Sequence, residues 1–362
     1  MPFQAKSAPQ TGVSRHGHVS ASQVKTAQMC LRKWAFEKVW MVRTIQQYHL
    51  LLGQALHGVG ERYLAKVGGG WEGLFPRGWD AGLQPKDAKM VRTHAERAVS
   101  QGVWQAREGI IIEHPVTLLV GRRMLDHRGL PLLARAVTYT NDLGIRGILR
   151  LTHQEGGAPL PVGWDDLAPF IGFIDVFDLW AREMPLVEDH KTSKNRRYTL
   201  TAEELALDTQ MLCYAAVALG LRPDADFVRL KHNVFLKNHE DPEVFETTAV
   251  VTTQRVAQKW EEILTISERM RTVYDHAPKI VGPVEHRADN WHRVPGAMEE
   301  GREEEACNAY GKCPFKDVCK RRCPAHTLVA ELDRRAAAAK PVIPIAPVQR
   351  KTFHFNLTNH RN

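Results

Sequence analysis

The sequence predicts an α/β fold in which a mixed β-sheet is flanked by helices, and three observations carry that prediction. Six runs rich in β-branched residues, at 110–120, 147–152, 171–180, 185–191, 227–236 and 247–252, read as strands. Stretches of helical apolar period lie before, between and after them. The chain of 362 residues is 43% apolar and 25% charged, a balance that buries a core and keeps a charged surface.

Taken in order, Ser20 followed by Gln23 has the spacing of a capping box, and residues 24–40 place apolar side chains at helical spacing, so a first helix carrying Cys30 is expected. A second helix is expected over 50–67. Gly68, Gly69 and Gly70, with Trp71, Pro76 and Gly78, then mark a loop. A third helix over 86–107 precedes the strands, a fourth over 201–220 separates the fourth strand from the fifth, and 254–273 reads as a charged amphipathic helix. Beyond Cys323 a short helical piece reaches Ala339, followed by a linker with Pro341, Pro344 and Pro347 and a tail with Arg350, Lys351 and Arg361. Three parts result: a flexible tail over 1–18, one folded domain over 19–324, and a C-terminal helix, linker and basic tail over 325–362.

A formal net charge of +8 favours a polyanionic partner, nucleic acid first. No apolar run is long enough to cross a bilayer, so no membrane partner is expected. Residues 1–18 lack the apolar segment of a secretory signal, which points to a reducing, cytoplasmic setting and to cysteines that bind metal instead of pairing. The absence of acidic residues before Glu37 is also how a mitochondrial leader reads, so a eukaryotic source would put the protein in mitochondria.

The most informative stretches are Gly172-Phe173-Ile174-Asp175 and Glu188-Asp189-His190-Lys191-Thr192. Side chains alternate along a strand, so Asp189 and Lys191 share one face while Glu188 and His190 take the other. Two carboxylates from neighbouring strands make an oxygen-rich site for a hard divalent cation, with the lysine beside whatever that cation binds. Such a site suits phosphodiester hydrolysis. Alone, the Asp-x-Lys spacing is equally the spacing of a surface ion pair.

Two further features accompany it. Gly53, His57 and Glu61 recur at four-residue spacing on one helical face, and Gln210 and Tyr214 stand four apart on another helix. In this order, from Gly53 to Tyr214, the set resembles the RecB-like branch of the PD-(D/E)XK nuclease superfamily, with its RecB and AddB nuclease domains and its CRISPR-associated and phage exonucleases. The resemblance implies the restriction-endonuclease-like core and a Mg²⁺- or Mn²⁺-dependent DNA exonuclease. It implies His57, Asp175, Asp189 and the backbone carbonyl of His190 as metal ligands, and Lys191 as the group that positions water or stabilises the transition state. Gln210 and Tyr214 would orient the site and Glu61 would support it. Asp178 falls off the motif register and reads as structural, and Tyr214 also reads as a core aromatic.

Of six cysteines, Cys213 falls where a small buried apolar residue is expected. Cys307, Cys313 and Cys319 are each separated by five residues, wider than paired zinc ligands usually stand, so a four-thiolate cluster fits better than zinc, with free thiols the remaining reading. Relatives in the same branch carry one cysteine before the core and three after it, holding a [4Fe-4S] cluster that joins the termini. Cys30, Cys307, Cys313 and Cys319 reproduce that layout, with Cys323 as a substitute. Such a crosslink restricts the unfolded chain as a long-loop disulfide does.

Lys194, Arg196 and Arg197 form a basic loop after Lys191, either a phosphate contact or a solvated turn. Lys320, Arg321 and Arg322 offer a second backbone contact, and Trp71 and Trp79 offer platforms for unpaired bases. The expected activity is trimming of DNA ends in recombination, repair or phage DNA processing, alone or alongside a helicase, a single-strand-binding protein or a recombination protein. No Gly-Lys-Thr/Ser phosphate loop is present, so any ATP-driven motor is a different chain. The alternatives are a nuclease subunit of a helicase-nuclease or CRISPR-adaptation complex and an inactive DNA-end scaffold.

Overall fold

The structure is a computed structural model that describes residues 19–334 except 41, 43–47, 67–70, 81, 107–108, 121–124, 141–145, 154–158, 161–167, 182–183, 238–242, 277–293, 297–299, 303–305, 309–312, 321–326, 328–329 and 333. Both expected tails, most of the expected helix beyond Cys323 and Cys323 itself lie outside the described residues.

The first helix is broken where one continuous helix was expected. Ser20 caps α1 (Ala21–Met29), its hydroxyl accepting from the Gln23 amide at 3.3 Å. The Gln23 carboxamide accepts from the buried Trp34 indole at 3.2 Å. At Cys30 the backbone turns extended (φ −160°). Its N–H still closes α1 on Thr26, while its Sγ accepts from the Lys33 amide at 3.4 Å and starts α2 (Leu31–Trp34). Cys30 is thus a junction between two helices, and a π-helical turn, Ala35–Val39, follows.

Two helices come next, α3 (Tyr48–Leu64) and α4 (Pro85–Ser100). α4 begins on proline, whose missing N–H costs nothing in a first turn, and ends short of the expected boundary near Gly102, which adopts φ +68°.

The strands are β1 (Ile111–Val120), β2 (Ala134–Thr140), β3 (Arg146–His153), β4 (Pro159–Leu160), β5 (Ala168–Asp178), β6 (Leu186–Ser193), β7 (Phe227–Leu236) and β8 (Val244–Thr252). The central sheet runs β1-β5-β6-β7-β8, with β6 and β7 parallel and every other neighbour antiparallel, which makes it mixed as expected. The run at 147–152 falls instead in a separate sheet, β2-β3-β4, whose first strand the residue pattern did not single out.

The parallel pair requires a crossover, supplied by α5 (Ala202–Leu205) and α6 (Thr209–Leu221). The expected single helix splits because Asp208 leaves the helical conformation and caps α6, its carboxylate accepting from the Gln210 and Met211 amides. α7 (Thr253–His276) follows β8 directly.

One core gathers α1, α6 and α7 with β-strand residues such as Ile174, Val187 and Leu230, and α6 is buried through Met211–Leu219. A second joins α3 and α4 to Val176, Phe235 and the buried Trp104. Both contribute the apolar burial that outweighs chain ordering. Among the described residues no helix is long and apolar enough to cross a membrane.

Candidate active site

Strands β5 and β6 pair through Val176 with Glu188, Phe177 with Val187 and Asp178 with Leu186, and there the ladder ends. The next residues on the two strands are Asp175 and Asp189. Past the ladder the His190 amide donates to Asp175 Oδ2 at 2.7 Å, so this backbone donor is satisfied by a side chain. His57 from α3 brings Nδ1 to 3.7 Å from the same oxygen. The opening of the ladder therefore sets Asp175 and Asp189 at the adjoining positions where the two strands part, and fixes the first of them by a backbone bond.

Asp189 is 2% exposed and nonetheless well supplied with donors. Its Oδ1 accepts from Lys191 Nζ at 2.7 Å and from Gln210 Nε2 at 2.8 Å. Gln210 Nε2 also donates to the Tyr214 hydroxyl at 3.1 Å, one turn along α6. Burial disfavours the Lys191 ammonium, but Asp189 and Asp175 outweigh it and hold its pKa above the ordinary lysine value. Burial, with Asp189 and Asp175 beside it, pushes the Tyr214 phenol far up, so it stays protonated.

Two glycines allow these contacts. A Cβ on Gly172 would stand 3.0 Å from Tyr214 Cε1, and one on Gly53 would stand 3.2 Å from Thr192 Oγ1. Of the expected site residues, His57 thus stands against Asp175, while Lys191, Gln210 and, through Gln210, Tyr214 gather on Asp189, from two strands and two helices. Glu61 stands one turn beyond His57 on α3 and is partly exposed.

The opposite face of β6 carries a buried polar network. His190 Nε2 lies 2.9 Å from Glu188 Oε1, and Asn233 Nδ2 donates to that oxygen at 2.5 Å. Burial opposes the imidazolium, yet Glu188, followed by Asp175 and Asp189, raises the His190 pKa above the usual value. The His190 side chain points away from the carboxylate pair, leaving only its backbone on the site, as the strand alternation requires.

The residue pattern did not reveal three participants. His232 lies opposite Asp189 in the parallel β6–β7 register and brings Nε2 to 3.8 Å from Asp189 Oδ2, while its buried Nδ1 has no hydrogen-bond partner among the described residues. Nothing local marks it, because inter-strand register is a property of the fold. Lys25 of α1 pairs with Asp208 at 2.6 Å, and with Asp189, Lys191, Gln210 and His232 they line one cleft. For Asp208 a local signal exists, an aspartate two residues before Gln210 that can cap a helix, but the continuous helix expected over 201–220 passed over it. For Lys25 there is none.

The cysteines converge from both ends of the folded chain. Cys30 and Cys307 are buried, and Cys313 and Cys319 partly so. Burial pushes the Cys313 thiol up to about 11 and also raises Cys319, with Cys30 and Cys307 near enough to oppose the ionisation of each. The Cys313 amide donates to the Cys307 carbonyl at 3.0 Å, and Arg32 Nη1 donates to Cys319 Sγ at 3.7 Å. Around them Phe36 stacks on Phe315 at 4.4 Å and the Arg32 side chain donates to the Val294 carbonyl at 2.9 Å, so the terminal segments are packed together. Cys213 is buried in α6 with its thiol pushed well up by desolvation, as a core residue.

Lys194, Arg196 and Arg197 are exposed at the end of β6. Arg196 lies over the Phe245 ring at 4.5 Å and Arg197 over Tyr198 at 4.8 Å, which holds both guanidinium groups on the surface. Trp71 is exposed, but Trp79 is 5% exposed and packs on Phe75, so it offers no stacking platform. Among the described residues no group of three or more His, Cys, Asp or Glu side chains is arranged to hold a metal ion. Arg321 and Arg322 lie outside the described residues.

Comparison with curated proteins gives no match. A solved structure titled "Crystal structure of SSO0001" is similar at 11% identity over 62% of this chain and 77% of that one, with a TM-score of 0.22. A family profile described as the PD-(D/E)XK nuclease superfamily matches residues 18–320, a span that takes in both carboxylate strands and the helices around them. The chain belongs to the PD-(D/E)XK nuclease superfamily.

Proposed function

We propose that this nuclease is a Mg²⁺- or Mn²⁺-dependent exonuclease that trims DNA ends in recombination, repair or phage DNA processing, and that Cys30, Cys307, Cys313 and Cys319 hold a [4Fe-4S] cluster. The observation that carries the reading is the carboxylate pair at the opening of the β5–β6 ladder, with Lys191 and Gln210 both bound to Asp189.

The donor set fits a hard cation: carboxylates from Asp175 and Asp189, the His190 carbonyl and the His57 imidazole. Their present hydrogen bonds, to the His190 amide and to Lys191 and Gln210, would exchange or lengthen to admit it. Such a cation lowers the pKa of an attacking water and offsets charge on the phosphate oxygens. Lys191, kept cationic by the two aspartates, faces the charge that develops on the phosphate. Gln210 holds the Asp189 carboxylate in place, and the protonated Tyr214 hydroxyl holds Gln210. The exposed Lys194, Arg196 and Arg197 contact the DNA backbone without reading sequence.

The four thiols suit a cluster by their number, their mutual electrostatic reach and the donors aimed at sulfur from Arg32 and the Lys33 amide. Being protonated near neutrality at Cys313, they release protons on loading.

The test uses linear end-labelled single- and double-stranded DNA and a closed circle, with Mg²⁺, Mn²⁺ or EDTA. Linear DNA should be shortened from its ends only when metal is present, and Asp175→Ala and Lys191→Ala should each slow cutting by at least about a hundredfold. Equal cutting of circles and linear DNA would discard the end-trimming assignment, and full activity in both variants would discard the site. Anaerobically prepared protein should be brown with about four irons per chain, and Cys30→Ser should lose both colour and iron; a colourless zinc protein would overturn the cluster.

A further inference from the structure

Lys25 lies outside every motif above, on the helix that ends at Cys30, yet it reaches the candidate active site. Its ammonium sits 2.6 Å from Asp208 Oδ2, and Asp208 Oδ1 caps α6 through the Gln210 amide at 2.9 Å and the Met211 amide at 3.1 Å. Gln210 in turn donates to Asp189 at 2.8 Å. One carboxylate therefore links α1 to the helix that fixes Asp189. Thr209 Oγ1 donates to the Gln28 side chain at 3.4 Å, and the Gln28 carbonyl accepts from Arg302 at 3.2 Å, so α1 is held between α6 and the C-terminal segment.

The charges around this point nearly cancel, and the balance depends on Lys25. Asp208 has 13% of its side chain exposed and stands in the cleft with Asp189, Lys191 and His232. Burial alone would raise its carboxyl pKa, but Lys25, ahead of the two amide bonds, brings it below the ordinary value, so Asp208 is an anion. It lines that cleft with Lys191, whose ammonium is bound to Asp189 Oδ1 at 2.7 Å. An uncompensated Asp208 would therefore compete with Asp189 for the same lysine.

We infer that Lys25 is a positioning residue: as counter-charge to Asp208, it keeps Lys191 on Asp189 and makes the turnover of the nuclease site depend on the seating of α1. The inference rests on the nuclease reading and adds to it a residue from outside the nuclease motifs. It makes α1, with Lys25 one turn before Cys30, the mechanical connection between the cysteine centre and the carboxylates.

The test compares wild type, Lys25→Met, Lys25→Arg and the double variant Lys25→Met with Asp208→Asn, measuring kcat, KM and DNA affinity on linear DNA and the thermal midpoint of each. Asparagine caps a helix as well as aspartate does, so the double variant removes the stray charge and keeps α6 capped. Lys25→Met should lower kcat about tenfold with KM and affinity changed less than about twofold, Lys25→Arg should retain activity, and the double variant should recover most of the loss. A Lys25→Met protein that binds DNA more weakly in a salt-dependent way, with kcat intact, makes Lys25 a phosphate contact and overturns the inference. So does a loss of kcat that the double variant leaves uncorrected, or one matched by an equal fall in thermal midpoint. A wild type that cuts no DNA with either metal removes the nuclease reading and the inference together, whereas an active wild type matched by Lys25→Met removes the inference alone.

Discussion

At the scale of single residues the site is a set of hydrogen bonds converging on Asp189 Oδ1, and removing each donor should cost differently. Gln210→Ala deletes the bond to Asp189 and the support from Tyr214 in one step. Tyr214→Phe deletes only the outer one. Initial-rate measurements should therefore show Gln210→Ala about tenfold or more below wild type and Tyr214→Phe within about fivefold of it, since a neutral hydrogen bond is worth roughly 1 kcal/mol and one to a charged group more. On the other face of β6, Glu188→Ala leaves both His190 and Asn233 facing a buried gap. Urea unfolding should register a loss of about 3 kcal/mol, because groups that stay buried keep their desolvation cost.

At the scale of elements, close approach decides where side chains are permitted. Gly172 on β5 faces the Tyr214 ring of α6 at a separation a methyl group cannot share without displacement. Gly172→Ala should cost about 1–2 kcal/mol in unfolding experiments and slow cutting as well, by moving Tyr214 off Gln210. Gly58, in α3, has among the described residues only the flexible end of Arg62 near the place of a Cβ, at 3.9 Å. Gly58→Ala should instead raise stability by about 0.5–1 kcal/mol, the ordinary gain from replacing glycine inside a helix. The pair separates packing from backbone entropy within one protein.

For the whole molecule, pH acts on the persistence of the fold through a buried histidine. His94 of α4 is buried on the Leu236 carbonyl, and burial first, with Arg97 adding to it, lowers its pKa from 6.5 to about 4. Between those values the unfolded chain binds a proton that the folded chain refuses. The contribution of a neutral His94 is thus complete above pH 6.5 and is lost as pH falls towards 4, by roughly 3 kcal/mol in all. The difference in unfolding free energy between wild type and His94→Gln, followed from pH 7 to pH 4, should narrow or reverse by an amount of that order. The network at His190, present in both proteins, cancels from that difference.

The sequence by itself determined the α/β class, β7 from Phe227 to Leu236 and the carboxylate strands to within a few residues, because apolar period and side-chain alternation are local and survive any packing. It also determined that Asp189 and Lys191 share a face while Glu188 and His190 share the other, since that follows from strand geometry alone. Only the tertiary structure decided that the β5–β6 ladder ends at Val176 and Glu188, that His232 comes opposite Asp189, and that the 147–152 run belongs to a second sheet. It also placed Lys25, 183 residues from Asp208 along the chain, on that carboxylate and turned Trp79 inward. Each of these is fixed by register or by contact between segments remote in sequence, and such choices depend on the summed packing of every partner, which no window of neighbouring residues contains.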